Sequence, residues 1–360
     1  MVRSWLGWWT IAVPVISVAL LGAVWHRGLS PPLVVLITLV LAGSVLAAVH
    51  HAEVVALRVG EPFGSLVLAV AVTVIEVALI VTLMVSGGHG TESLARDTVF
   101  AAAMITMNGI LGLCLLVGSI RHGLVEFNAE GSGAALATLT TLAGLSLVLP
   151  TFTTSRPGPE YSPAQLTFAA IASLALYGIF VVTQTVRHRD FFLPVGDGDS
   201  VPEHASPPTN GQALASLGLL LVALIGVVGL AKLEAPTIES AVSAVGFPQS
   251  FVGVVIAMLV LLPESIAAVR AAMRDKLQIS LNLALGSAMA SIGLTIPTIA
   301  VAMIWLEGPL LLGLGATQIV LLALTIVVSM LTVVPGRATR LQGGVHLTLA
   351  VAFVFLAINP

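Results

Sequence analysis

Eleven apolar stretches of about 20 residues follow one another along this chain, separated by short polar or Gly/Pro breaks. They fall near residues 5–25, 33–57, 63–86, 98–119, 132–154, 163–186, 212–232, 249–270, 279–305, 309–333 and 344–358. A helix of that length crosses the hydrocarbon of a bilayer and satisfies its own backbone there. The fold class expected is therefore an all-α polytopic membrane protein with about 11 transmembrane helices. Composition agrees: 58 % of residues are hydrophobic and 9 % charged, whereas soluble domains carry about 45–50 % and 25 %. Such a chain has too little polar surface for water, so the lipid bilayer is its solvent. A nucleic-acid partner is not expected, and the sequence sets no oligomeric state. The single cysteine, Cys114, lies in an apolar run and leaves no disulfide framework. Trp5, Trp8 and Trp9 at the start of the first stretch read as interfacial anchors of a retained helix rather than a cleaved signal.

Only one connection is long. Arg187 to Gln212, RHRDFFLPVGDGDSVPEHASPPTNGQ, is rich in Pro, Gly, Asp and Ser and is expected to be a flexible linker. It divides the chain into an extra N-terminal helix (1–30), a first five-helix repeat (31–186), a cytoplasmic linker (187–211) and a second five-helix repeat (212–360). Five is odd, so the two repeats run through the membrane in opposite senses. Ten of the 14 Lys and Arg residues fall in loops on the side of the N-terminus. The positive-inside bias therefore predicts a cytoplasmic N-terminus and linker, with the C-terminus external.

Two stretches, one in each half, break the apolar rule in the same way. In GEPFGSLVLAVAVTVIEVALIVTLMVS, Glu76 is the sole charge between Glu61 and Glu92. In QSFVGVVIAMLVLLPESIAAVRAAMRDK, Pro263-Glu264 sits well inside an apolar helix that a basic run, Arg270, Arg274 and Lys276, closes. A carboxylate at such depth costs roughly 2.5–3.5 kcal/mol on insertion scales. Proline removes a backbone donor and marks a helix break. Gly60-x-Pro62 aligns with Gly246-x-Pro248, and the Glu follows each Pro by 14 and 16 residues. Glu53 and Glu239 precede the two glycines at comparable range. One intramembrane carboxylate per half is the pattern of a transporter built from repeats.

Two carboxylates meeting at the midplane favour their protonated forms, through burial and mutual repulsion. An entering cation would displace those protons, and that competition is what an antiporter requires. Hard cations suit carboxylate, carbonyl and hydroxyl oxygens. Thr73, one turn before Glu76, could supply such oxygens, as could Asn108, Ser287 and Ser291 in the following helix of each half. Ordinary small-residue packing is the competing explanation for the serines and glycines there. Glu53, Glu239 and His50 are candidates for an access or proton path. His50 and His51 beside Glu53 also admit a metal reading, but no further Cys or His converges on them in sequence. Most other acidic residues, Asp97 among them, fall at loops or helix ends and are expected to be solvated.

These residues resemble the cation/proton exchanger branch of the Ca²⁺:cation antiporter superfamily, and in particular its bacterial ChaA-type members. The resemblance runs over essentially the whole chain. It is most specific in AEVVALRVGEPFGSLVLAVAVTVIEVAL and in GFPQSFVGVVIAMLVLLPESIAAVRAAMRDKLQISLNLALGSAMASIGLTIP. It implies that Glu76 and Glu264 stand at the Glu of the family's G-N-A-x-E signatures, with Glu53 and Glu239 at its preceding acidic positions. Asn108 matches the Asn of the first G-S-x-x-S-N stretch; Gly286, Ser287 and Pro297 match the second stretch. The Gly-Asn of the signature is Val72-Thr73 in one half and Val260-Leu261 in the other, and Ala290 replaces an expected Gln. Several oxygen ligands of a Ca²⁺ cage are thus replaced, which brings in Na⁺ and K⁺ as substrates.

The function expected is secondary active exchange of cytoplasmic Ca²⁺, Na⁺ or K⁺ for external protons in the inner membrane, without a cofactor. One alternative is a Na⁺(K⁺)/H⁺ exchanger with little Ca²⁺ activity. An alternative of another class is a membrane-embedded metal-dependent enzyme, against which stands the lack of HExxH or an Asp-rich diphosphate motif.

Overall fold

The computed structural model describes residues 7–25, 30–60, 63–86, 91–195, 208–306 and 308–360. The expectations placed on Arg3, Arg27, Glu61, Pro62, residues 196–207 and Glu307 lie outside the described residues. Each of the eleven apolar stretches holds helix: α1 (Trp8–Val24), α2 (Pro31–Val59), α3 (Phe63–Ser86), α4 (Leu94–His122), α5 (Ala129–Thr151), α6 (Pro163–Arg187) and α7 (Asn210–Ala244), followed by the pair α8 (Phe251–Val260) and α9 (Leu262–Ala272), then α10 (Leu277–Ala302), α11 (Ala316–Val333) and α12 (Arg340–Ile358). Among the described residues nine helices are long and apolar enough to cross a membrane, or ten if the bent α8–α9 pair is counted as one span, and α1 is a shorter apolar helix of 17 residues. The protein is a helical polytopic membrane protein.

The ends of these helices follow from local sequence. Ser162 with Gln165, Thr209 with Gln212 and Thr339 with Gln342 form capping boxes at α6, α7 and α12. The Asn128 side chain accepts from Glu130 N and Gly131 N at the start of α5. Pro31 and Pro163 open α2 and α6, where a missing N–H costs nothing. The tenth stretch departs from expectation, because its helix begins only at Ala316. Leu311 N, Gly313 N and Leu314 N bond instead to the carbonyls of Glu92, Pro159 and Leu147. At Gly313 the backbone passes so close to Pro159 that an added Cβ would lie 2.7 Å from its ring. Glycine permits that approach, and the extended segment gives its backbone bonds to two connections and to the last turns of α5.

The helices pack as two compact units: residues 1–89 with 199–245, and residues 90–198 with 246–360. The first gathers α1, α2, α3 and α7. The second holds α4–α6 and α8–α12. Packing therefore cuts across the division expected at the linker, since α7 joins helices of the first half.

In the first unit α2 and α7 run antiparallel, tied at one end by Arg58 Nε donating to Asn210 Oδ1 (2.6 Å) and towards the other by Thr38 and Glu234. Gly226 and Gly229 let α1 lie close on α7, against Ser17 and Leu21. In the second unit the connections carry short backbone pairings. Strand β1 (Val125–Glu126) pairs antiparallel with β2 (Arg337–Ala338), and Glu160 bridges Leu311. The start of α10 sits with the start of α5 and the turn after α6: Gln278 Oε1 accepts from Asn128 N, and Asn282 Nδ2 donates to the Phe192 carbonyl. The chain thus leaves α6 and enters α10 on one side of the second unit.

Candidate cation site

In the first unit, Glu76 lies midway along the unbroken helix α3 and is 4 % exposed. Thr73, also buried, precedes it by one turn on the same face. Ile75, Leu79, Ile80 and Leu83 bury the rest of that helix side, so the acid and the hydroxyl are polar atoms set into an apolar surface.

Glu264, in the second unit, occupies a different local structure. The helix breaks at Leu261 and turns by 56° between α8 and α9. Pro263 causes the break: it has no N–H to give the Leu259 carbonyl, and it begins a new helix well. The Leu261 carbonyl receives both Ser265 N (2.9 Å) and Ser265 Oγ (2.7 Å). Glu264 falls in the first turn of α9, half-buried. Unpaired N–H groups and the helix dipole there favour negative charge by roughly 0.3–1 kcal/mol at exposed sites. On α10, Ser287 is half-buried, and Ser291 is buried one turn further along the same face. Ser291 opens a π-turn, Ser291–Thr295.

The glycines that align the two halves both have positive φ. Gly60 caps α2 at φ 74°, and Gly246, just beyond α7, has φ 76°. Both occupy the left-handed region that only glycine enters readily. Two π-turns also correspond, Ile105–Ile110 in α4 and Ser291–Thr295 in α10, each in the helix after the one bearing the Glu. Extra residues of this kind recur at functional sites. Neither was read from the sequence, where Gly109 and Gly293 were the available signals.

The remaining candidates are dispersed. Asn108, inside the π-turn of α4, gives Nδ2 to Thr325 Oγ1 (2.9 Å), and its Oδ1 faces His346 Nδ1 (3.2 Å). His346 Nε2 lies 3.1 Å from Thr332 Oγ1, and all four residues are buried. This polar cluster joins α4, α11 and α12. His346 was missed in sequence, where a single His in an apolar run carried no spacing signal. His50 is half-buried beside Trp9 (centroids 6.0 Å apart), whereas His51 is fully buried, its Nε2 2.8 Å from the Thr10 carbonyl on α1. Glu53 is exposed on α2 and Glu239 half-buried on α7. The fully buried acid of α7 is Glu234 instead. Asp97 corrects the surface expectation. It is buried at the start of α4, where Arg96 pairs with it at 2.8 Å and Ser93 donates to it at 2.8 Å. Among the described residues no group of three or more His, Cys, Asp or Glu converges as a metal site.

A family profile described as "Sodium/calcium exchanger protein" matches residues 29–186 and 215–359, one block on each side of the linker. A protein of Sinorhizobium fredii, provisionally named as ionic transporter y4hA, is 49 % identical over 89 % of this chain and 87 % of its own. The sodium-potassium/proton antiporter ChaA of Escherichia coli is 31 % identical over 96 % of this chain and 94 % of its own. Among solved structures, native YfkE superposes with a TM-score of 0.74 at 16 % identity, covering 98 % of this chain and 99 % of that one, which shows a shared fold. The named relatives are transporters and not enzymes, which removes the enzyme alternative. Matched on both sides of its linker and related at this level along most of its length, the chain belongs to the sodium/calcium exchanger protein family of membrane cation antiporters.

Proposed function

We propose that this protein exchanges a cytoplasmic cation, Ca²⁺, Na⁺ or K⁺, for external protons across a bacterial inner membrane, with Glu76 and Glu264 as the carboxylates at which cation and protons compete. The observation that carries the reading is the matched placement of the two acids. Each lies within a membrane span, 16 residues after Gly60 and 18 after Gly246, and both glycines have positive φ. Thr73, Ser287 and Ser291 would add hydroxyl oxygens. The repeats, residues 31–186 and 212–360, would run in opposite senses, with the N-terminus cytoplasmic and the C-terminus external.

The names of the relatives support both cation classes, since one is a sodium-potassium/proton antiporter and another, from Aphanothece halophytica, a Ca²⁺/H⁺ antiporter. Leu261 places an apolar side chain at the helix break beside Glu264. Ca²⁺ wants about 6–8 oxygens, so this favours Na⁺ or K⁺ with little Ca²⁺ transport as the second reading.

The test uses everted vesicles energised to acidify their interior and loaded with a pH-sensitive dye. Ca²⁺, Na⁺ and K⁺ are added separately to wild type, Glu76→Gln and Glu264→Gln. The expected result is dequenching by at least one cation in wild type, abolished in both variants. Dequenching that survives either substitution would remove that residue from the site, and no response to any cation would sink the antiporter reading.

A further inference from the structure

The most completely buried acid in the described residues belongs to neither matched segment. Glu234 is 1 % exposed, on α7. Its Oε1 lies 2.7 Å from Thr38 Oγ1 on α2, and its Oε2 is buried with no hydrogen-bond partner. Thr38 Oγ1 also lies 3.0 Å from the Val34 carbonyl, one turn back. A hydroxyl carries one proton and two lone pairs. Were Glu234 ionised, the carbonyl and the carboxylate would compete for that single proton, and one close O···O contact would hold none. With a proton on Oε1 both contacts are filled: Glu234 donates to Thr38, and Thr38 donates to Val34. Oε2 then becomes a carbonyl oxygen, which is far cheaper to bury unpaired than a charged one.

Among the described residues no cation answers the carboxylate. Among the described residues of the helices packed on α7, α1 carries no ionisable side chain and α3 carries Glu76. On α2, Arg58 is bonded to Asn210 at the opposite end, His51 is held by the Thr10 carbonyl, His50 lies beside Trp9, and Glu53 is an acid. On α7 itself, Lys232 is exposed with its ammonium 5.9 Å from the Trp25 ring centroid, and Glu239 is an acid. None of these forms an ion pair with Glu234 among the described residues. A metal ion is a poor occupant too, since one carboxylate and one hydroxyl fall well short of a hard cation's oxygen shell.

The geometry points to a second proton-binding site, Glu234 with Thr38, in addition to the carboxylates of the matched segments. The proton bound there links α2 to α7 through the Thr38 hydroxyl. Its loss leaves an unpaired anion between the two helices, so contact between them is coupled to proton occupancy. The site is independent of which cation the protein carries, and its test does not read transport.

Infrared spectra of the full-length protein in liposomes at neutral pH, in H₂O and D₂O, decide the matter. The difference between wild type and Glu234→Gln is expected to contain one protonated-carboxyl C=O stretch that shifts in D₂O. Thr38→Val, which removes the acceptor of the acid's proton, is expected to move that band to higher frequency. A wild-type-minus-variant difference with carboxylate stretches in place of the carboxyl band, or with neither, overturns the proposal, as does a band that Thr38→Val leaves unmoved.

Discussion

Asn108 uses its amide at both ends, and the direction of each bond can be worked out. Its Nδ2 donates to Thr325, so its Oδ1 must accept, and the hydrogen comes from His346 Nδ1. The other ring nitrogen of His346 is then a lone pair that accepts from the Thr332 hydroxyl. Neutral His346 in this one tautomer satisfies the cluster. The amide of Asn108 therefore serves helix packing within its own unit. Asn108→Ala should take the amide away from Thr325 Oγ1 and His346 Nδ1, leaving Thr325 the Met104 sulfur and His346 the Met107 backbone carbonyl, at a cost of about 1–3 kcal/mol in all. The expected outcome is a thermal midpoint in detergent lowered by several degrees. A ligand to the transported cation would behave otherwise: the variant would keep its midpoint and lose cation affinity, and that result would return Asn108 to the cation site. Glu76 presents the opposite case at the same scale. Its position stood out in the sequence because a charge in an apolar run has no cheap bland explanation, whereas Glu234 stands near a helix end among other polar residues and carries no such signal.

At the scale of elements, helix faces differ in how much room they leave, and α12 shows both extremes. Gly112 of α4 meets α12 so closely that an added Cβ would stand 2.9 Å from His346 Cβ and 2.9 Å from Leu347 N. Gly343 makes the reciprocal approach to Leu116. Gly344, the next residue on α12, faces open space. Gly112→Ala should push the helices apart and cost about 1–3 kcal/mol, while Gly344→Ala should be neutral or raise stability by up to about 1 kcal/mol through helix propensity. Denaturation of the two variants in one detergent checks this, and equal midpoints would count against close packing. The helices themselves were legible from the apolar windows alone, since backbone bonding in lipid leaves few options for such stretches. The break at Leu261 was legible from Pro263. The late start of α11 was not, because Leu310, Leu311, Leu312 and Leu314 look helical in composition, and the segment is held extended by the backbone bonds of Leu311, Gly313 and Leu314 to distant residues. The π-turns were hidden for a related reason: an extra residue in a helix turn changes no apolar period over so short a run.

For the whole molecule, the consequence with most reach is the count of crossings. The strand pair Val125–Ala338 and Glu126–Arg337 places the α4–α5 and α11–α12 connections on one side of the second unit, and the Glu160–Leu311 bridge does the same for the α5–α6 and α10–α11 connections. Since α5 crosses between these pairings, they mark opposite faces of the membrane. On the orientation proposed above from the bias of Lys and Arg, the first pair of loops would be cytoplasmic. Membrane-impermeant maleimide can read this directly, because Cys114 is the single cysteine and is buried. In a Cys114→Ser background, three exposed positions serve as reporters: Ser155→Cys beyond α5, Glu130→Cys at its start and Asn359→Cys after α12. Ser155→Cys and Asn359→Cys should label in intact cells, and Glu130→Cys only after lysis. Labelling of Ser155→Cys and Glu130→Cys from the same face would contradict α5 as a crossing. Labelling of all three in the reversed sense would keep the fold and invert the orientation, so that the cation taken up by the proposed exchange would be the external one.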